Sequence, residues 1–234
     1  MRMYFAGSDN FTYERSLLEA GVDCRLVSAY SLKYSKPLVS TKANYDSVLL
    51  DSGGYTARTQ GIHISARQYA SYLNKTKPDL AFELDTMDIE ETLRNRAYLE
   101  TACPNTYIIP IYHWSDYTDP KYRSMIDDLV RDYPMIAVGG VAGMSLGQEA
   151  HIELYNYVFK RTRDQVRVHG LGQTGRQMLQ RYPFWSVDST SWLAMIRYGQ
   201  SLAHKCKYRR KVRSKTRHHT KNVLDEIKYF LKMA

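Results

Sequence analysis

The fold can be inferred outward from one run of residues, Phe184-Trp185-Ser186-Val187-Asp188-Ser189-Thr190-Ser191-Trp192. Its apolar part is typical of a buried strand, which ends at Asp188 with small hydroxyl residues after it. A helical pattern follows and carries Trp192, Met195, Ile196 and Gly199. A carboxylate at the C-terminal end of a buried strand is where α/β enzymes hold their catalytic groups, but Asp also caps helices. The role of Asp188 therefore depends on how the other strands end.

Two other predicted strands also end in a carboxylate. The strand predicted at 47–50 ends at Asp51, and the strand predicted at 79–84 ends at Asp85. With the strand that begins at Phe184 there are eight strand patterns, and the remaining ones cover 3–7, 24–29, 107–112, 135–138 and 166–169. Alternation of strands and helices also fits a doubly wound sheet, but the count of eight predicts a single (β/α)8 barrel of the α/β class.

Helical patterns separate these strands and continue to the end of the chain. They cover 11–20, 65–74, 89–101, 121–131, 146–159 and 174–180. Ser65 is predicted to cap the second of them, and Asp88 to lie at the N-terminus of the third. A last amphipathic helix, with Asn222 as its cap, has one apolar face made of Val223, Leu224, Ile227, Phe230 and Leu231. We therefore expect a catalytic barrel over 1–200, followed by a basic segment and terminal helix over 201–234.

The C-terminal ends of all strands in a barrel open onto one mouth. The residues predicted there are Asp51, Asp85, either Tyr112 or His113, Gly139, Gly140, His169, Gly170 and Asp188. Carboxylates gathered in one place are costly unless they are protonated, paired or matched to donors of a substrate, so their presence points to function. A divalent metal is one explanation, but no closely spaced ligand pair stands at a strand end. Glycosyl transfer is the other, because it uses one carboxylate as a nucleophile and another for the proton.

Three short motifs resemble those of one family, the tRNA-guanine transglycosylases. Asp51-Ser52-Gly53-Gly54-Tyr55 is similar to its D-S-G-G-F/Y motif, and Gly139-Gly140-Val141-Ala142 resembles its G-G-L-A turn. His169-Gly170-Leu171-Gly172 resembles its M-G-V-G, which precedes the strand of the nucleophilic Asp. The matching order extends over residues 45–192. The short chain and the run V-D-S-T-S-W are most similar to the phage and bacterial DNA-guanine transglycosylases, which insert 7-deazaguanine bases into DNA.

The resemblance implies a role for each matching residue. Asp188 would attack C1′ of the target nucleoside as guanine leaves, and Asp51 would deprotonate the incoming free 7-deazaguanine, a preQ0-like base. Asp85 would accept hydrogen bonds from the N1 and amino groups of the purine. The backbone N–H groups of Gly140 and Val141 would bind the purine O6. Tyr55 would stack on the base, and the other implied substrate-binding residues are Ser52, Gly53, Tyr112, His113, Gly139, His169 and Gly170.

The chain departs from the family in two places. The family has a Gln at the end of the fifth strand, where Tyr112-His113 stands here, so recognition of O6 must differ. The family's zinc site, C-x-C-x2-C with a later His, is reduced to Cys206, and a set made of His204, Cys206 and His218 matches it poorly. We therefore expect no cofactor and no metal, with zinc as the alternative. Because the zinc insert helps those relatives to dock tRNA, its loss favours a different nucleic acid.

A basic segment stands in its place. Residues 204–221 contain five Lys, four Arg and no acidic residue, whereas the rest of the chain has 24 basic and 24 acidic residues. Such a segment predicts contact with DNA, mainly through phosphates, although a solvated tail would have the same composition. Truncation after Gln200 is therefore expected to weaken DNA binding. The predicted contacts are Lys207, Arg209, Arg210, Lys211, Arg213, Lys215 and Arg217.

Three alternatives to a DNA base-exchange enzyme stay open. The same chemistry on tRNA is distinguished by comparing label release from tRNA and from duplex DNA. A non-catalytic nucleic-acid-binding barrel predicts that Asp188→Asn behaves as the wild type does. A small glycoside hydrolase uses the same two-carboxylate chemistry but has no use for a basic segment.

Composition indicates the setting in which the protein works. The chain of 234 residues is 44% hydrophobic, which is enough for a sizeable core. No apolar run approaches the about 20 residues that a membrane helix needs, so no membrane contact is expected. The scattered cysteines Cys24, Cys103 and Cys206 do not form a disulfide framework, which favours the cytoplasm, that of the host if a phage encodes the protein. The oligomeric state and the identity of the inserted base do not follow from the sequence.

Overall fold

The computed structural model describes residues 1–7, 11–32, 42–86, 88–139, 147–194, 200–201, 203, 206–207 and 216–234. Within these residues one sheet contains nine parallel strands: β1 (Arg2–Phe5), β2 (Cys24–Ser28), β3 (Ser47–Asp51), β4 (Leu80–Phe82), β5 (Tyr107–Ile109), β6 (Ile111–His113), β7 (Met135–Gly139), β8 (Arg167–Gly170) and β9 (Ser186–Ser189). Their order across the sheet is β5-β4-β3-β2-β1-β9-β8-β7-β6.

The two ends of this order meet at Pro110. Strands β5 and β6 lie at opposite edges of the sheet, yet only Pro110 separates them in the chain. Because Pro has no N–H to give to the ladder, it divides one long strand into two. The Pro110 carbonyl accepts a hydrogen bond from Ala137 N (2.8 Å), which continues the pairing across the joint. The sheet is therefore a (β/α)8 barrel whose fifth strand is interrupted, as the strand pattern predicted.

Side chains alternate between the inside of the barrel and the layer between barrel and helices. The inner cluster includes Tyr4, Leu49, Phe82, Ile109 and Ile111. Residues one position along belong to the outer cluster, which the helices cover. The alternation continues through Pro110, because Ile109 and Ile111 both point inward. The direction of each residue at the mouth follows from this register.

The helices that surround the barrel are α1 (Phe11–Glu19), α2 (Ala29–Leu32), α3 (Gly54–Thr59), α4 (Ala66–Thr76), α5 (Ile89–Ala102), α6 (Trp114–Thr118), α7 (Met125–Asp132), α8 (Gln148–Thr162), α9 (Arg176–Arg181) and α10 (Thr216–Leu231). Ser65 forms a capping box with Gln68 at the start of α4, and the Asp88 side chain caps α5, both as predicted. The short helices α2, α3 and α6 were not predicted, because four to six residues do not establish a helical period.

The C-terminal helix α10 belongs to the barrel. Val223, Ile227 and Phe230 are fully buried in the same outer core as Trp192, and α10 lies against α1. The terminal helix expected within 201–234 is therefore present, and it packs on the barrel core. Asn222 is not a cap, since α10 begins at Thr216. The predicted helix after Asp188 begins with a 3-10 turn (Ser191–Leu193), and 195–199 lie outside the described residues.

A short antiparallel hairpin lies between the last barrel strand and α10. It pairs β10 (Gln200–Ser201) with β11 (Cys206–Lys207). The buried Glu226 carboxylate of α10 accepts a hydrogen bond from Ala203 N in the same connection. Within the described part of the chain, none of the helices has the length and apolarity needed to cross a membrane.

Candidate active site

Asp51, Asp85 and Asp188 lie close together at the mouth of the barrel. Asp51 ends β3, Asp188 lies in β9, and Asp85 follows β4. Burial and, to a smaller extent, the charges of Asp85 and Asp188 together raise the pKa of Asp51 to about 7. Asp51 nevertheless keeps part of its surface exposed, as a residue in a cleft does. The three carboxyls that the sequence placed at one opening therefore do share one electrostatic environment.

The turn after Asp51 is shaped by two glycines. Gly53 has φ of +74°, and a Cβ there would lie 2.5 Å from Cβ of Tyr30. A Cβ at Gly54 would lie 3.2 Å from the carbonyl oxygen of Asp85. Only glycine fits at 53, and the turn can then approach the end of β4 closely. The two glycines thereby bring Asp51 and Asp85 to the same side of the mouth.

Ser52 and Gly53 hold this turn from within. The buried Ser52 hydroxyl accepts a hydrogen bond from Gly54 N (3.2 Å), and the Asp51 carboxylate accepts one from Gly53 N (3.1 Å). This hydrogen bond to Asp51 favours the ionised carboxyl and opposes the rise of its pKa. The prediction that Ser52 and Gly53 contact a substrate is therefore wrong, because these polar groups form hydrogen bonds inside the turn.

Asp188 is held through one of its two carboxylate oxygens. Oδ1 accepts a hydrogen bond from Gly172 N (2.7 Å), and it lies 3.3 Å from Nε2 of His169. Both interactions end on Oδ1, and among the described residues Oδ2 has no hydrogen-bond partner. The carboxylate is thus fixed on one side and available on the other, which is the arrangement that a nucleophile needs.

His169 lies beneath Asp188 inside the barrel. Its exposed fraction is 0%, and its Nδ1 is 2.7 Å from Oγ of Ser186, which is equally buried. Its ring contacts those of Tyr4 (5.9 Å between centroids) and Phe82 (5.1 Å). The prediction that His169 contacts a substrate is therefore wrong, because no face of its ring reaches the opening.

The prediction that Gly170 contacts a substrate is wrong for a similar reason. A Cβ at Gly170 would lie 2.9 Å from Cε1 of Phe184, so this glycine allows the strand to pack on the outer core. The N–H that reaches the site comes from Gly172, which has φ of +63°. In the His-Gly-Leu-Gly motif it is therefore the second glycine, and not the first, whose N–H donates a hydrogen bond to Asp188.

The fifth strand contributes His113 and not Tyr112. Tyr112 points outward, is fully buried, and donates a hydrogen bond from its hydroxyl to the carbonyl of Arg123 (2.8 Å). The prediction that Tyr112 binds substrate is therefore wrong. His113 points inward, and its Nε2 lies 3.8 Å from Oδ2 of Asp85. This distance is too long for a hydrogen bond, and Nε2 of His113 is buried without a hydrogen-bond partner among the described residues.

Gly139 lies next to His113 under Leu171. A Cβ at Gly139 would lie 2.7 Å from Cδ1 of Leu171 and 3.6 Å from Nδ1 of His113. The missing side chain therefore leaves room for Leu171, and contact of Gly139 with a substrate stays a prediction. Gly140 and Val141, the predicted donors to a purine O6, lie outside the described residues.

Tyr55 projects from α3 beside the opening. Its exposed fraction is 59%, and Cζ of Arg58 lies 5.9 Å from the centre of its ring. A largely exposed aromatic ring next to the mouth is available for stacking on a planar ligand.

The predicted nucleic-acid contacts have no described side chains. Lys207 belongs to β11 and Arg217 to α10. The remaining ones lie wholly outside the described residues: Arg209, Arg210, Lys211, Arg213 and Lys215.

No group of three or more His, Cys, Asp or Glu side chains that could hold a metal ion occurs in the described part of the chain. The alternative zinc ligands His204, Cys206 and His218 are not covered by this finding, because their side chains are not described.

Two residues that hold Asp188 in place, Ser186 and Gly172, were not predicted from the sequence. Ser186 stands two positions before Asp188 on the same strand face, and this alternation could have identified it.

No protein-family model matches the chain, and no curated protein matches it significantly.

Proposed function

We propose that this protein is a base-exchange pentosyltransferase that removes guanine from DNA and inserts a 7-deazaguanine in its place. The observation that carries the proposal is the different surroundings of two neighbouring carboxyls. Asp51, with a pKa of about 7, can both give and take a proton at neutral pH. Asp188 is fixed through Oδ1, which leaves Oδ2 for attack. An acid/base beside a nucleophile is the requirement of retaining glycosyl transfer.

The first half of the reaction removes guanine. Oδ2 of Asp188 forms a bond to C1′ of the nucleotide while the bond between C1′ and N9 breaks. The electron pair of that bond leaves with guanine, and the protonated Asp51 supplies a proton to N9. The product is a glycosyl ester of Asp188 and free guanine.

The second half inserts the new base. Asp51, now ionised, takes the proton from N9 of the incoming 7-deazaguanine, and N9 attacks C1′. The bond between C1′ and Oδ2 breaks, and its electron pair restores the Asp188 carboxylate. Because each half inverts C1′, the two together retain the configuration of the nucleotide.

Asp85 and His113 are placed to bind the base that is exchanged. The Asp85 carboxylate is suited to the N1–H and amino donors of a guanine edge, and a site built for these donors rejects purines that lack them. His113 lies 3.8 Å from Asp85 and stands where the resembled family has Gln. Tyr55, exposed beside the mouth, supplies a stacking surface.

DNA is the proposed substrate because of the basic segment. Residues 204–221 carry nine positive charges and no acid, and in the chain they follow β9, which carries Asp188, and continue into the first turns of α10. A polyanion is attracted by such a segment whatever its sequence. Since C1′ of a stacked nucleotide cannot enter a barrel mouth, the target is flipped out or single-stranded.

Exchange of labelled guanine tests the proposal. DNA that carries labelled guanine is incubated with the protein and a free 7-deazaguanine, and tRNA is treated in parallel. We expect label to be released from DNA by the wild type, and the rate to fall at least about 10³-fold in Asp188→Asn and Asp51→Asn. Absence of release from both nucleic acids contradicts base exchange, and release from tRNA alone contradicts the choice of DNA.

Asp79→Asn is the matched control for both variants. Asp79 stands just before β4, at the opposite end of the barrel, and its side chain is 80% exposed. The same chemical change at Asp79 should leave label release unaltered.

A further inference from the structure

His169 and Ser186 form a buried pair on which Asp188 rests. Ser186 Oγ is 2.7 Å from Nδ1 of His169, and Nε2 of the same ring is 3.3 Å from Oδ1 of Asp188. Both residues have an exposed fraction of 0%. Two buried polar side chains that bind each other and one carboxylate are costly in a barrel interior unless every group is satisfied. The barrel could fill this space with apolar residues, as it does around Leu49 and Phe82.

The hydrogen bonds have a defined direction. An ionised Asp188 only accepts, so Nε2 of His169 must carry the proton that it shares with Oδ1. Nδ1 of the same ring is then satisfied by the Ser186 hydroxyl. Tyr4 and Phe82 contact the ring and prevent it from turning. The orientation of His169 is therefore set from three sides.

We infer that His169 and Ser186 are positioning residues, which hold Oδ1 of Asp188 so that Oδ2 faces C1′. This inference rests on the proposed function, in which Asp188 is the nucleophile. Gly172 N holds the same oxygen from the mouth side (2.7 Å), and His169 holds it from below. A carboxylate held at one oxygen by two donors presents the other in a fixed direction. A misplacement of about 1 Å at a reacting group costs about 10²-fold in rate.

His169→Asn and His169→Gln separate positioning from mere packing. The amide of Asn reaches only the place of Nδ1, so it can bind Ser186 but not Asp188. The longer Gln reaches the place of Nε2 and can donate to Asp188. Both variants remove the ring that lies between Tyr4 and Phe82, so both lose the same two aromatic contacts.

Kinetics of base exchange give the first test. We expect kcat to fall about 100-fold in His169→Asn and about 10-fold or less in His169→Gln, with KM unchanged in both, because neither touches the substrate. Thermal unfolding is measured beside the rates. Equal loss of kcat in the two variants, in proportion to their loss of stability, overturns the inference.

The second test does not depend on catalysis. Nitrogen NMR of histidine-labelled protein, with the His169 resonances assigned by their loss in His169→Gln, reports which ring nitrogen carries a proton. We expect a protonated Nε2 in the wild type and a changed Nε2 resonance in Asp188→Ala. An unprotonated Nε2 overturns the inference. If the NMR result is as expected while no base exchange occurs, the hydrogen-bonded pair stands and the proposed function fails.

Discussion

Asp51 shows how burial and charge act on one side chain. Its pKa is raised to about 7, first by burial and then by the charges of Asp85 and Asp188. In the unfolded chain the same carboxyl titrates near its ordinary value of 3.8. Between these values the folded protein binds more protons than the unfolded chain, so the contribution of Asp51 makes the protein less stable as the pH rises.

Asp51→Asn is therefore expected to stabilise the fold at alkaline pH. The gain in unfolding free energy should be small at pH 4 and reach on the order of 2 kcal/mol at pH 8, because the ionised carboxyl costs most there. Urea denaturation at a series of pH values measures it. Asp79→Asn, which alters an exposed carboxyl, serves as the control. A loss of stability in Asp51→Asn at pH 8 contradicts the raised pKa.

At the scale of elements, the turn between β3 and α3 positions Asp51, the proposed acid/base. It combines a left-handed glycine, the Ser52 hydroxyl and a close approach to the end of β4. A side chain at Gly53 would meet Tyr30 and would force a non-glycine residue into the left-handed region. The turn also decides the direction of Asp51, because Gly53 N binds its carboxylate.

Gly53→Ala is expected to destabilise the protein by roughly 3 kcal/mol, since the new Cβ meets Tyr30 at 2.5 Å and φ is positive. Gly61→Ala is the matched control. Gly61 also has a positive φ, +68°, but nothing lies within 4 Å of a Cβ there, so we expect a loss of only about 1 kcal/mol. Equal losses in urea denaturation would contradict the close contact with Tyr30.

The joint at Pro110 is completed by a side chain. Ile111 N donates a hydrogen bond to Oε1 of the buried Glu83 (2.6 Å), which replaces a ladder bond at the interruption. Burial raises the pKa of Glu83 to about 8, although Arg96 at 3.6 Å acts in the opposite direction. Glu83 is therefore mostly neutral at pH 6.5, and its carbonyl serves as the acceptor.

Glu83→Gln and Glu83→Ala are expected to differ. At pH 6.5 Gln keeps the acceptor and should change stability by less than about 1 kcal/mol, whereas Ala leaves Ile111 N unpaired and should cost about 3 kcal/mol. Above pH 8 the wild type carries a buried charge, and the Gln variant should become the more stable of the two. Thermal unfolding at pH 6.5 measures the stability of both variants. Similar losses of stability for Gln and Ala would contradict this role of Glu83.

At the scale of the whole molecule, the basic segment is not a removable tail, because it leads into α10, which packs in the outer core. Truncation after Gln200 would delete Val223, Ile227 and Phe230 from the core, so it would test folding rather than DNA binding. The charges can instead be removed with α10 in place.

Neutralising six cations in the full chain, by changing Lys207, Arg209, Arg210, Lys211, Arg213 and Lys215 to Gln, should weaken DNA binding. The slope of log K against log salt should become shallower by up to about five, since each duplex phosphate contact contributes about 0.9. Binding titrations at several salt concentrations measure it. An unchanged slope would contradict the assigned role of the segment.

The barrel could be predicted because each strand is an apolar run that ends in a turn signal. The direction of individual side chains was harder. Tyr112 and Gly170 were expected at the mouth, but the period-2 alternation turns both toward the helices. The contact of His169 with Ser186 depends on how β8 pairs with β9, and a sequence does not specify that register before the barrel is closed.

Nucleophilic attack by Asp188 can be tested by trapping the glycosyl ester. The protein is mixed with a guanine-containing single-stranded oligonucleotide without an incoming base and quenched in denaturant, and its intact mass is measured. We predict that the wild type and Asp79→Asn gain the mass of the oligonucleotide less guanine, and that Asp188→Asn gains nothing. An adduct on Asp188→Asn, or none on a wild type that exchanges guanine, would contradict nucleophilic attack by Asp188.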